Sequence, residues 1–115
     1  MKELTKAEEQ VMHALWKIEK GFAKEIVANV EGNHAYNTIL TVIRVLVDKG
    51  FVEFEKFGKA FRYSPVYSKE EYSQFRMETL KNNYFEGSAK KLLSFLLKKE
   101  DLNLGDLEDI LNDDV

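Results

Sequence analysis

Asn37, Thr38, Thr41 and Arg44 are the side chains whose types and spacing suggest chemistry, and that chemistry is recognition rather than catalysis. Asparagine can bond an adenine edge through two hydrogen bonds, arginine can do the same to guanine, and a threonine methyl can touch thymine. At 100° per residue, Asn37, Thr41, Arg44 and Asp48 share one helix face, with Thr38, Leu40 and Val45 on its flanks. Ile39, Val42, Ile43 and Leu46 form the opposite stripe, which must meet a core. Tyr36 is expected to be partly packed, with contact of its hydroxyl to a phosphate backbone as the lesser alternative, and Leu40 reads either as an apolar contact to a thymine methyl or as an ordinary exposed apolar residue. Lys49 and Gly50 close the helix with a cation near its C-terminal dipole and a glycine able to take the left-handed cap. The same pattern also fits an ordinary solvated face. The surrounding elements favour a recognition helix over residues 35–50.

Other chemistry finds little material. The chain has no cysteine, and His13 and His34 lack metal-ligand spacing, so no metal site and no cofactor are expected. Glu8, Glu9 and the acidic C-terminal run come without a nucleophile, a paired histidine or a glycine-rich phosphate loop, which argues against an enzyme. A length of 115 residues fits one modest domain, or a small domain with an appendage. Hydrophobic residues make up 44% and charged residues 32%, a globular balance without a run able to span a bilayer, so a soluble cytoplasmic protein is expected. The net charge of -3 is unevenly spread: residues 1–67 hold 10 Lys+Arg against 9 Asp+Glu, and residues 68–115 hold 7 against 11. The acidity therefore belongs to the C-terminal part. A balance of +1 in the first part is weak for a DNA-binding module.

Taken in order, the chain opens with the capping box Thr5-Lys6-Ala7-Glu8 and a helix over 4–19 whose apolar face is Val11, Met12, Leu15, Trp16 and Ile18. Gly21 ends it. Phe22-Ala23 has the form of a very short strand, a second helix follows over 24–30, and Asn33 is positioned to cap the helix after it. Beyond Gly50 the period changes from helical to alternating. Residues 51–56 and 59–66 read as a β-hairpin with a turn at Phe57-Gly58-Lys59; Val52, Phe54, Phe61 and Tyr63 are expected to pack back on the helices. Lys56, Lys59 and Arg62 cluster at its tip and second strand, as phosphate contacts or as guards of an exposed edge.

Three helices followed by a hairpin is the order of a winged helix-turn-helix. The expected fold is mainly α with a small β-hairpin: a winged helix-turn-helix DNA-binding domain over 1–67 and a helical dimerisation region over 68–115. In the second part, Ser68 to Glu71 repeats the capping box. Tyr72, Phe75, Leu80 and Tyr84 then make one apolar stripe, Leu92, Leu93, Leu96 and Leu97 a second, and Leu107, Ile110 and Leu111 a third. Helices this short and one-sided need burial, and a second copy supplies it. The expected partners are therefore a double-stranded DNA operator of two-fold symmetry and a second copy in a homodimer. The runner-up is a winged-helix module that binds protein instead of DNA, which the low positive charge permits.

The residues also carry a family resemblance. Leu4-Thr5-Lys6-Ala7-Glu8 with Val11-Met12 and Leu15-Trp16, Thr38-Ile39 with Thr41, and Asp48-Lys49-Gly50-Phe51-Val52 with Phe61-Arg62-Tyr63 resemble the BlaI/MecI/CopY penicillinase-repressor family over nearly the whole chain. The resemblance implies a dimeric winged-helix transcriptional repressor on palindromic operators ahead of β-lactamase or related resistance genes. It further implies release of repression through a membrane sensor protease pathway, the inducing cut aligning with the bond between Ser94 and Phe95. This chain departs from the family at Asn37 and Leu40, where relatives often carry cations, and has Val45-Leu46 at the common Arg-Leu pair, with Arg44 one place earlier. The cysteine pairs of copper-responsive members are missing.

Overall fold

The computed structural model describes residues 1–113 and divides them between two compact units, one ending at Gln74 and the other starting at Phe75. The first unit holds α1 (Lys6–Ile18), β1 (Gly21–Phe22), α2 (Ala23–Asn29), α3 (Tyr36–Asp48), β2 (Val52–Phe57), β3 (Ala60–Pro65) and the first turns of α4 (Lys69–Tyr84). The second holds the rest of α4, then α5 (Ala89–Lys99) and α6 (Leu104–Asp113). The element order is that of a winged helix-turn-helix.

Local chemistry sets the boundaries of α1 and α3. Thr5 caps α1 through a reciprocal capping box: its own N–H donates to Glu8 Oε1 at 2.8 Å, and the Glu8 N–H donates to Thr5 Oγ1 at 3.2 Å. At the end of α3, Gly50 takes φ +81. The Phe51 N–H then reaches the Leu46 carbonyl at 2.9 Å, and the Gly50 N–H the Val47 carbonyl at 3.0 Å. This is a Schellman closure, and it turns the chain directly into β2. The start of α3 differs from the expectation, because Ala35 and not Asn33 occupies the cap position and provides no side-chain acceptor.

The core lies where α1, α2 and α3 meet the sheet. Val11, Met12, Leu15, Ile26, Ile43, Leu46 and Phe51 are essentially inaccessible, each contributing about 1.5–3 kcal/mol of burial. Ile39 is also buried, as the apolar stripe of α3 requires.

The sheet is antiparallel in the order β1-β3-β2, with Phe54 opposite Tyr63 and Phe57 opposite Ala60. A two-residue turn, Gly58 at φ +60 and Lys59, closes the hairpin. The very short strand expected at Phe22-Ala23 forms one residue earlier, Gly21 and Phe22 pairing with Tyr63 and Arg62 so that the hairpin becomes a three-stranded sheet.

Two expectations about aromatic residues are corrected. Phe54 and Phe61 pack back on the helices only in part: they share a hollow with Arg44, Val47 and Asp48 of α3, yet stay 48% and 39% exposed and meet each other edge-on at 5.0 Å. Phe54 lies on the outer strand β2 and Phe61 near the turn, whereas Tyr63, in the middle of β3, is buried. Tyr72, assigned from the sequence to the dimer stripe, is instead buried in the first unit. Its hydroxyl accepts the Leu4 N–H at 2.9 Å, and its ring meets Trp16 and Phe51. This anchoring carries the end of the first unit past residue 67 into α4.

In the second unit Ser88 caps α5, accepting the Lys91 N–H at 3.1 Å. The Phe85 and Phe95 rings are 5.3 Å apart, and Leu92 is buried. Leu80, Tyr84, Leu93 and Leu96 remain exposed, while Phe75 and Leu97 are intermediate. The side chains of Leu107, Ile110 and Leu111 lie outside the described residues.

Candidate nucleic-acid interface

The helical period of α3 separates its two faces as the sequence requires. Tyr36, Asn37, Thr38, Thr41 and Arg44 are exposed, and Leu40 is intermediate. The Thr41 hydroxyl donates to the Asn37 carbonyl at 2.9 Å, so its hydrogen is engaged within the helix although the residue is exposed. His34, just before the helix, has Nε2 2.9 Å from the Glu31 carbonyl and belongs to the turn.

The position of α3 is fixed at its C-terminus and along its length. At its C-terminus the Lys49 ammonium meets the Glu8 carboxylate at 2.8 and 2.9 Å, and Glu8 is only 5% exposed. Along its length Arg44 approaches the hairpin. Burial pushes the Tyr63 phenol above its ordinary pKa, and the Arg44 cation acts on it in the opposite direction.

The hairpin distributes its cations over both faces. Lys56 and Lys59 are exposed and, among the described residues, make no ion pair. Alternation along β3 puts Arg62 on the face opposite Phe61 and Tyr63. There its guanidinium lies 4.7 Å from the Phe57 ring centroid and 3.9 Å from Glu55, which partly engages it. Between α2, α3 and β3 runs a groove of about 720 Å³ whose lining joins Tyr36, Leu40 and Arg44 to Lys59 and Phe61. Phe22 and Lys24 also line it. Spacing marks neither side chain as functional: Phe22 reads only as part of a very short strand, and the short second helix has no motif to mark its outer side.

Exposed hydrogen-bonding side chains on one face of a third helix, flanked by a hairpin, define a winged helix-turn-helix protein. The comparisons then narrow the class. The chain matches the penicillinase repressor family over residues 4–112 and belongs to that family, which is one of transcriptional repressors and not of enzymes. It is 30% identical over 115 residues to the methicillin resistance regulatory protein MecI of Mammaliicoccus sciuri, covering 96% of this chain and 91% of that protein. It is 29% identical over 116 residues to the penicillinase repressor of Staphylococcus aureus, covering 96% and 92%. Among solved structures, the DNA-binding domain of the repressor BlaI aligns with a TM-score of 0.54 and 27% identity, over 63% of this chain and 94% of that one.

Proposed function

We propose that the chain is a homodimeric transcriptional repressor that enters the major groove of a palindromic operator with α3 and touches phosphates with its hairpin. The observation that carries this reading is the outer face of α3, where Asn37, Thr38, Thr41 and Arg44 stand exposed together next to a hairpin tip bearing Lys56 and Lys59. Family membership and the likeness to a DNA-binding domain support the same reading. Asn37 and Arg44 are the side chains suited to paired hydrogen bonds with a base edge, while Thr38, Thr41 and Leu40 suit thymine methyls. Lys56 and Lys59, with Tyr36, position the protein on the backbone; Arg62 joins them by leaving Glu55.

Dimerisation rests on the second unit. Leu80, Tyr84, Leu93 and Leu96 are exposed in the single chain, an apolar surface that a second copy would cover. The regulated genes are of the resistance type named for the relatives. Repression ends by a cut between Ser94 and Phe95, both exposed on α5, at the end of a sensor protease pathway. The bond lies within helical backbone, so cleavage requires local unwinding of α5.

The low positive charge of residues 1–67 favours one rival, a winged helix that binds protein and no DNA. Titrating binding to random duplex against salt separates the two. The repressor loses affinity steeply as salt rises; no salt-dependent affinity for any duplex sinks the proposal.

A further inference from the structure

Arg44 lines two hollows at once. One is the groove of about 720 Å³ beside α2, and the other is a smaller hollow of about 200 Å³ that it shares with Val47, Asp48 and Phe54. Phe61 and Tyr63 of β3 line both, so the same two rings border the arginine in each. Phe54, Phe61 and Tyr63 brace one another, with ring centroids 5.0, 6.2 and 6.5 Å apart, and the buried Tyr63 ties them to the core. Asp48, one turn beyond Arg44, borders the smaller hollow but makes no ion pair with it among the described residues. Arg62 differs, because Glu55 engages its guanidinium at 3.9 Å. Aromatic walls hold an arginine without occupying its N–H donors, whereas a carboxylate takes them up.

We propose that Phe61 of the hairpin is a positioning residue for Arg44, its ring confining the arginine so that the guanidinium points at one base edge. The proposal rests on the DNA-reading role given to α3 above and extends base recognition to a hairpin side chain that touches no base. Arginine has much rotamer freedom to lose, and a wall that removes the wrong directions beforehand leaves less to be lost on binding. Phe61 is the member of the wall suited to this role. Tyr63 belongs to the core and Phe54 borders only the smaller hollow, while Phe61 borders both and stays 39% exposed.

The test uses the 115-residue chain, a duplex that it selects from a random pool, and the set of single-base changes to that duplex, with binding read by fluorescence anisotropy. Wild type is expected to discriminate at the position read by Arg44 by roughly fivefold to hundredfold, the worth of a paired hydrogen bond to a base edge. Phe61→Ala should flatten discrimination at the same symmetric pair of positions as Arg44→Ala and leave it elsewhere. Phe61→Tyr keeps the ring and should keep the preference. Adding Phe61→Ala to Arg44→Ala should change nothing further at that position, because the two act through one contact. Phe57→Ala removes a comparably exposed ring from the opposite face of the hairpin and should bind with the wild-type preference. A Phe61→Ala protein that retains the wild-type preference, or loses affinity evenly for every sequence, overturns the positioning role and leaves the repressor reading intact. So does an Arg44→Ala protein whose preferences match wild type. A wild-type chain that selects no duplex from the pool overturns both.

Discussion

The Lys49 ammonium lies 2.8 Å from one carboxylate oxygen of Glu8 and 2.9 Å from the other, tying the C-terminus of α3 to the first turn of α1. The same carboxylate accepts the Thr5 N–H, so one buried group serves both the cap of α1 and the placement of α3. Burial pushes the Glu8 carboxyl up, but Lys49 and Thr5 together outweigh it and hold it below the ordinary glutamate value.

A carboxyl that titrates lower in the folded state contributes stability above the unfolded value, and loses it as pH falls through the folded one. Glu8→Gln is therefore expected to destabilise the protein at neutral pH by about 1–3 kcal/mol, since Lys49 and the cap both lose a charged acceptor. The difference from wild type should shrink as pH drops below about 4.3. Denaturant melts at several pH values check this, and a gap independent of pH would remove the ion pair from the explanation.

Tyr72 provides a test of where the first unit ends. Tyr72→Phe strips the buried Leu4 N–H of its acceptor and should cost about 1–3 kcal/mol of unfolding free energy. Because the ring lies against Trp16 and Phe51 of its own chain, the dimer dissociation constant should not move. Sedimentation equilibrium decides: a weakened dimer with unchanged stability would return Tyr72 to the intersubunit stripe.

Arg44→Ala separates base reading from backbone contact. Loss of a paired hydrogen bond to one base should cost about 1–3 kcal/mol and relax preference at one position of the operator. Binding of the variant to a set of single-base operator changes shows which occurs. A uniform loss over all sequences would make Arg44 a phosphate ligand only.

Replacing Leu93 and Leu96 together by lysine places charges on the exposed stripe of α5. The variant should sediment as a monomer and retain the first unit's melting transition, because these residues lie in the second unit. An unaltered dimer would move the interface elsewhere.

Much of the first unit is legible from residue spacing. The capping box at Thr5, the two faces of α3 and the closure at Gly50 each follow from side-chain chemistry within a few positions, and the structure holds all three. What escapes the sequence depends on distant partners. Tyr72 has the period of a helix stripe whether that stripe meets a second copy or Trp16, and only the fold decides between them. Phe54 and Phe61 have the alternation of a buried hairpin face, yet nothing local tells how far the helices reach along it. Lys24 is one exposed lysine among many until α2 is set beside α3 and the hairpin tip. The missing N-cap at Asn33 has a different cause: the turn through His34 brings Ala35 to the cap position instead.

The central claim, that the exposed face of α3 reads DNA, is tested most directly by selecting binding sites from a pool of random duplexes with the 115-residue chain. The account predicts enrichment of a palindrome whose half-sites lie one helical turn, roughly 10–10.5 bp, or a multiple of it apart. Asn37→Ala and Arg44→Ala should each change the preferred base at one symmetric pair of positions. A pool that fails to enrich, or that enriches the same sequence after both substitutions, would contradict the account.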